Sequence, residues 1–234
     1  MSLVTHRFDS RDALFAQLQR DCAAAVQESI DTRGRASLLL SGGSTPAPLY
    51  RALGTSRLDW SRIHVALVDE RWVDTGHAAS NERLIHETLL DALDPKPTFT
   101  GMKNNAQSPP AGLQAANLAY GELPLPHSLC LLGMGPDGHT ASLFPHATGL
   151  DAAFESREHC AAIHARRSEV TGELVERLTL TPWSILQSER LILLITGADK
   201  WEVLQQAAES GDAESTPISH FIEHGDPLEV YWAP

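Results

Sequence analysis

The imidazole of His139 stands directly behind three closely spaced glycines and a proline, in Gly133-Met134-Gly135-Pro136-Asp137-Gly138-His139. The apolar run Leu129, Cys130, Leu131, Leu132 leads into them. Such a run predicts a buried strand, and the glycines and proline predict a tight turn after it. The pattern suits a strand end that presents a base to a cleft, because histidine changes charge near neutrality. A plain βα turn with a solvated histidine is spelled the same way. Asp137, two residues earlier, is placed to orient the ring or to stabilise charge on it.

Three further stretches have the same layout of a strand followed by polar chemistry. Ala36 to Leu40 runs into Ser41-Gly42-Gly43-Ser44-Thr45-Pro46. Adjacent glycines let backbone N–H groups turn toward a ligand, and Ser44 and Thr45 add hydroxyls. The helix that follows adds partial positive charge, so an anion such as phosphate is stabilised there. No Gly-Lys-Ser/Thr follows, which excludes a Walker A loop. The alternative is a glycine turn in which Thr45 caps a helix beginning at Pro46. Ile63 to Val68 ends in Asp69-Glu70-Arg71, three charges that are costly beside a buried strand unless solvated or used. Arg71 is the candidate ligand-binding group there, and an ion pair with Asp69 or Glu70 is compatible with that role. Arg190 to Thr196 precedes Gly197-Ala198-Asp199-Lys200, where a lysine at a helix start opposes the helix dipole and calls for an anion.

The elements that must position these groups alternate along the chain. Leu14, Leu18, Cys22, Val26 and Ile30 recur every four residues between a Ser10 cap and Gly34, which predicts an amphipathic helix. Ser80 caps a predicted helix over 81–93, with Asn81 at its start either bonding a ligand or supporting the turn. Residues 94–110 are rich in Pro, Gly, Asn and Lys and read as a loop, 112–120 as a helix, and 146–158 as weakly patterned. Strands are expected at 160–164, followed by Arg166 and Arg167, at 177–181, which opens on Arg177, and at 227–232. Alternation of this kind predicts a single α/β domain over 1–234, three-layered and Rossmann-like, with helices on both faces of a mostly parallel sheet. All four chemical stretches then fall on one edge of the sheet.

Composition removes several function classes. A net charge of −12 disfavours nucleic acid and anionic membranes as partners, so any charge that binds an anion must be local. No apolar run is long enough to span a membrane, and Met1 to Arg7 lacks the apolar stretch of a secretory leader, which points to the cytoplasm. Cys22, Cys130 and Cys160 read as buried reduced thiols. The eleven histidines are read as scattered, without the i,i+4 helical pairing or Cys-x-x-Cys spacing of a zinc site, so no metal is expected.

Taken together and in order, Ser41 to Pro46, Asp69-Glu70-Arg71-Trp72-Val73 with Ser80-Asn81, Gly133 to Pro145, Arg177-Leu178-Thr179-Leu180-Thr181 and Gly197 to Lys200 resemble the successive motifs of the 6-phosphogluconolactonases. The resemblance covers the chain from about residue 36 onward. It implies hydrolysis of 6-phosphoglucono-δ-lactone on a sugar-phosphate isomerase-like fold, with no metal or organic cofactor. It also implies a small-molecule partner and a monomer or weak dimer. On that reading His139 is the base, Asp137 supports it, and Arg71 or turn N–H groups face the oxyanion. Gly42, Gly43, Ser44, Thr45, Asp69, Asn81, Gly138 and Lys200 bind substrate, and one of Arg166, Arg167 or Arg177 completes the phosphate clamp.

Three rivals remain. A glucosamine-6-phosphate deaminase of the same fold is disfavoured because Phe144-Pro145 follows the turn where that family has an acid. Gly133, Gly135 and Gly138 satisfy the dinucleotide fingerprint G-x-G-x-x-G, but neither Asp151 nor Glu155 follows a second strand, as the ribose-binding acid should. A non-catalytic sugar-phosphate-binding module is disfavoured by Asp137 and His139, and by the lack of a basic helix-turn-helix ahead of the domain.

Overall fold

Runs of apolar residues without alternation form strands buried on both faces, and here they build a seven-stranded sheet. The computed structural model describes residues 3–225 and 227–234; Met1 and Ser2, the first residues of the segment read for a leader, lie outside it, as does Asp226. Its strands are β1 (Leu3–Arg7), β2 (Ala36–Leu40), β3 (Ile63–Leu67), β4 (Asp69–Arg71), β5 (Thr98–Thr100), β6 (Leu129–Leu132), β7 (Cys160–His164), β8 (Glu176–Leu180), β9 (Leu191–Thr196) and β10 (Leu228–Ala233). Its helices are α1 (Arg11–Arg33), α2 (Ala47–Leu53), α3 (Asn81–Thr88), α4 (Pro109–Gly121), α5 (Leu150–Glu155), α6 (Pro182–Ile185), α7 (Ala198–Ser210) and α8 (Ile218–His224). Among the described residues no helix is long and apolar enough to cross a membrane.

The main sheet is parallel throughout, in the order β1-β10-β9-β6-β2-β3-β5. From β2 the chain steps to β3 and β5 on one side, then returns to β6, β9 and β10 on the other. Right-handed crossovers that step in opposite directions fall on opposite faces, so helices cover both. The loops after β2 and β6 therefore part company, and the crevice between them is where an open α/β sheet binds its ligand. The expected α1 stripe is buried from Leu14 to Ile30, and Ser10 caps the helix by accepting from Ala13 N at 3.2 Å.

Several expectations need correction. Strands β7 and β8 do not join the main sheet; they form a separate three-stranded antiparallel sheet with β4, in which β8 is the central strand. Only Val68 separates β3 from β4, and its carbonyl accepts from Leu180 N at 2.8 Å, which stitches the small sheet to the large one. Thr45 does not cap α2: Ser44 to Pro46 form a turn and the helix begins at Ala47, with Pro46 in the cap position. The helix from Asn81 stops at Thr88, where Leu89 leaves helical geometry before a short 3-10 turn. Helix α4 starts earlier than predicted, at Pro109. Strand β5 lies inside the predicted 94–110 loop, and α5 inside the weakly patterned 146–158 stretch. Helix α8 has no counterpart in the sequence reading, and it sets His220 and His224 four residues apart with ring centroids 4.5 Å from each other. The histidines are thus not all free of i,i+4 pairing, although no group of three or more metal-binding side chains occurs among the described residues.

The junction of the two sheets is held by a fully buried carboxylate. Glu70 accepts from Arg71 N and Asn81 N on one oxygen and from Ser80 Oγ and Glu82 N on the other, at 2.8 to 3.0 Å. It thereby satisfies first-turn N–H groups of α3, which have no partner within the helix. Glu70→Leu strips four donors of their acceptor. We expect a loss of about 2–4 kcal/mol in stability, read as a lower urea midpoint at unchanged slope. Glu70→Gln, which keeps one acceptor oxygen, should fall between the two; equal midpoints for all three proteins would refute the anchoring role.

Candidate active site

The crevice predicted by the strand order is a cleft of about 260 Å³. The loop after β2 forms one wall, the turn after β6 another, and β4, β8 and the first turn of α7 complete it. Gly42, Gly43, Ser44 and Thr45 line it, as do Asp69, Arg71, Asn81, His139, Arg177 and Lys200. Chemical stretches as far apart in the chain as Gly42 and Lys200 thus converge, as the parallel-sheet argument requires.

Two positions in the β6 turn need glycine for identifiable reasons. A Cβ on Gly135 would lie 2.1 Å from His139 Cε1 and 2.6 Å from Asp137 Oδ1, so the missing side chain is the space the imidazole and carboxylate occupy. Gly138 has φ of +75°, and a Cβ there would meet Thr216 Cγ2 at 2.3 Å. Gly138 does not itself line the cleft; it shapes the turn and lets the segment before α8 pack against it, where Ile218 N donates to its carbonyl at 3.1 Å. The result is a closed pair in which His139 Nδ1 lies 2.5 Å from Asp137 Oδ1, and Asp137 also accepts from His139 N at 3.2 Å. Because a carboxylate only accepts, Nδ1 carries the proton and Nε2 is left as the acceptor. Burial pushes the Asp137 carboxyl up, but the hydrogen bonds and charge of His139 outweigh it and hold it below the usual aspartate range.

The opposite wall is built around Asn81. Its amide packs so closely on the β2 loop that a Cβ on Gly42 would lie 1.8 Å from its Oδ1. Its Nδ2 donates to the Asp69 carbonyl at 2.8 Å and to Oδ1 at 3.2 Å, while Ser142 Oγ donates to Asp69 Oδ2 at 2.6 Å. Gly43 takes φ of +97°, and no hydrogen bond among the described residues uses the N–H of Gly43, Ser44 or Thr45. Those N–H groups are free to bind an anion.

Three cations face the same space. Arg71 Nη1 donates to Ala79 O at 2.7 Å, and its Nε is buried without a partner among the described residues. Arg177 is buried, donates from Nε to Leu174 O at 2.8 Å, and is pushed down to about 10 by burial; Asp69 opposes that effect and the neighbouring charge of Arg71 adds to it. Lys200 is likewise lowered by burial, against the attraction of Asp137. A bound anion would stabilise the charged form of all three. Arg166 and Arg167 do not enter the cleft: both are exposed, and Arg167 is paired with Glu173. Of the three arginines left open by the sequence, the structure brings only Arg177 to the cleft. Strand β8 holds residue 177 beside β4, whereas Arg166 and Arg167 lie in the connection between β7 and β8, which meets the cleft through Val170 instead.

Sequence reasoning missed Phe144, Ala141, Met134 and Val170, which also line the cleft. Ala141 has φ of +50°, a left-handed backbone that nothing in an alanine announces.

The family model for glucosamine-6-phosphate isomerases/6-phosphogluconolactonase matches residues 9–232. The 6-phosphogluconolactonase of Rhizobium meliloti is 39% identical over 235 aligned positions that span all of both chains. The Pseudomonas putida 6-phosphogluconolactonase is 34% identical, covering 98% of this chain and 92% of its own. Among solved structures, a 6-phosphogluconolactonase from Shewanella baltica superposes with a TM-score of 0.93 at 37% identity, covering 99% of this chain and 98% of that one.

The lowered Asp137 carboxyl gives the dyad a signature in stability. A folded-state value below the unfolded one contributes stability above the unfolded aspartate pKa, about 3.9, and the contribution is lost as pH falls through the folded value. Asp137→Asn should therefore be less stable than the parent at about pH 7, with the deficit closing toward about pH 3. Urea unfolding across that range measures it, and a deficit independent of pH would count against an ionised, paired Asp137.

Proposed function

The chain belongs to the glucosamine-6-phosphate isomerase/6-phosphogluconolactonase family, and from that membership we propose that it hydrolyses 6-phospho-D-glucono-1,5-lactone to 6-phospho-D-gluconate, the lactonase step of the oxidative pentose phosphate pathway. The observation that carries the reading is a His139–Asp137 pair with a free Nε2 on a cleft that also gathers Arg71, Arg177 and Lys200. A base and a local cluster of cations are what hydrolysis of an anionic ester requires. The identity to curated lactonases over the full length of the chain supports the lactone as substrate.

In the proposed mechanism His139 Nε2 takes a proton from a water molecule as its oxygen attacks C1 of the lactone. The carbonyl oxygen becomes an oxyanion, stabilised by Arg71 or by turn N–H groups. When the C1–ring oxygen bond breaks, the imidazolium returns its proton to the departing oxygen, and the new carboxylic acid ionises to water. Asp137 holds the ring in the required tautomer and steadies the imidazolium throughout. The free N–H groups of Gly43, Ser44 and Thr45 with Lys200 and Arg177 form the phosphate clamp, while Gly42, Asn81 and Asp69 keep the opposite wall in place. Gly138 acts through the turn, and Arg166 and Arg167 have no role in binding. The substrate is a small sugar phosphate, the setting is the cytoplasm, and no metal or organic cofactor takes part.

The deciding assay generates the lactone with glucose-6-phosphate dehydrogenase and follows acid release with and without the protein. Acceleration over the spontaneous rate is expected, and its absence would remove the lactonase reading. Within that assay His139→Ala should lower kcat by about 10²–10⁴-fold with KM little changed. Lys200→Met and Arg177→Met should each raise KM by about tenfold or more, the worth of one charge-assisted contact. Arg166→Ala and Arg167→Ala should leave both constants unchanged, and a large KM effect from either would return the clamp to the hairpin tip.

A further inference from the structure

Phe144 touches both ends of the cleft's chemistry. Its ring stacks on the His139 imidazole with centroids 4.2 Å apart and planes at 27°, and the Arg177 guanidinium carbon lies over the same ring at 5.3 Å from its centroid. The residue is 4% exposed and still borders the cleft. Bringing it there has a conformational cost. After His139 the chain turns back through Ala141, whose left-handed backbone, at φ of +50°, is strained for a non-glycine residue. The turn is secured by Thr140 Oγ1 donating to Gly133 O at 2.8 Å, Leu143 N to Thr140 O at 3.0 Å and Ser142 N to Thr179 Oγ1 at 3.2 Å. An observed backbone outlier that returns one aromatic ring onto the base is a reason to look for a role in that ring.

We propose that Phe144 is a positioning residue of the reaction, which fixes the plane of His139 against Gly135 and offers the imidazolium a π face at the moment it forms. The proposal rests on His139 being the base. Two contacts leave the imidazole little freedom: Gly135, whose absent Cβ would meet Cε1 at 2.1 Å, and the Phe144 ring. With Nδ1 tied to Asp137, the ring plane then determines where Nε2 points. A cation over an aromatic face is stabilised, so the protonated base gains from the stack what the neutral base does not. The same ring also receives Arg177, whose guanidinium is a second cation on the same π system. The other charged groups around the base are Asp137 on its own turn, Lys200 of α7, and Arg71 and Asp69 of β4 across the cleft. None of them is altered in the variants below.

The test replaces Phe144 with Leu, which keeps apolar bulk but removes the π face, and with Tyr, which keeps it. His139 is titrated by NMR in the substrate-free protein, and turnover is measured separately. In Phe144→Leu the His139 pKa should fall by about half a unit, the size of one partly buried cation–π contact. The acid limb of the kcat profile should move with it, and kcat should fall by about tenfold, at nearly constant KM, from the loosened ring. Phe144→Tyr should restore the titration and most of the turnover. A role in packing alone would lower thermal stability without moving the titration, so an unmoved His139 pKa in a folded Phe144→Leu protein overturns the proposal. If that variant does not fold, Phe144→Met, which is flexible enough to fill the same space, takes its place: a lowered His139 pKa supports the proposal and an unmoved one overturns it. Because the titration needs no turnover, failure of the lactonase assay would leave it readable, and failure of the titration would leave the lactonase reading intact.

Discussion

A parallel sheet cannot place two consecutive strands side by side without a crossover, and the side on which each crossover lands is set by the right-handed twist of the chain. Once the chain steps from β2 to β3 and later returns to β6 on the other side of β2, the loops at the carboxyl ends of β2 and β6 must diverge. The chemistry of the cleft depends on that gap. The β2 loop brings free N–H groups to it, the β6 turn brings His139 and Asp137, and β9 delivers Lys200 from the next position along the sheet. None of these groups has to be steered by a long loop; each lies within a few residues of a buried strand and inherits its rigidity.

The small antiparallel sheet solves a different problem. Arg71 and Arg177 are cations withdrawn from bulk water, and the overall charge of −12 does little for either of them individually. They are kept in place by backbone carbonyls, those of Ala79 and Leu174, and Asp69 lies close enough to favour the charge of Arg177. Carbonyl acceptors orient a guanidinium without neutralising it, so the charge remains available to a ligand. Asp69, in turn, is held by Asn81 and Ser142 rather than closed into an ion pair with either arginine, and Glu70 is consumed entirely by Arg71 N and the start of α3. Glu70, which the sequence offers as readily as Asp69 for chemistry, therefore has a scaffolding role.

Much of this was legible in the sequence because burial and turn chemistry leave strong marks. The runs 36–40, 63–68, 129–132 and 190–196 read as strands, and strands form there at 36–40, 63–67, 129–132 and 191–196; Ser10 and Ser80 read as caps and accept first-turn N–H groups as caps do. The convergence on one edge followed from parallel topology alone. What did not show was anything decided by tertiary pairing. Strands β7 and β8 have the same apolar look whether they extend the main sheet or leave it, and the three residues of β4 are too few and too charged to declare themselves. Arg166, Arg167 and Arg177 could not be told apart because their fate depends on which part of a hairpin borders the cleft. Helix α8 is hard to see because its seven residues carry little periodicity, and the pairing of His220 with His224 is hidden with it. The placement of Thr45 failed for a local reason: the first helical hydrogen bond, from Tyr50 N, goes to the carbonyl of Pro46, so Pro46 sits in the cap position and the helix starts one residue later than the cap rule suggests.

The literal dinucleotide fingerprint in the β6 turn shows why glycine spacing by itself underdetermines function. In a nucleotide site the three glycines serve a tight turn, a close approach of backbone to pyrophosphate, and close packing of helix on strand. Here Gly135 is empty space filled by the protein's own imidazole and carboxylate, and Gly138 is a left-handed corner against which Thr216 packs. Behind the turn the chain does not enter a helix but doubles back through Ala141 to lay Phe144 on His139. A pyrophosphate would have to displace the very groups the glycines admit. A glycine that permits close approach of a ligand in one fold permits, at Gly135, close approach of an imidazole and a carboxylate in this one, and the difference is written in what occupies the missing Cβ position.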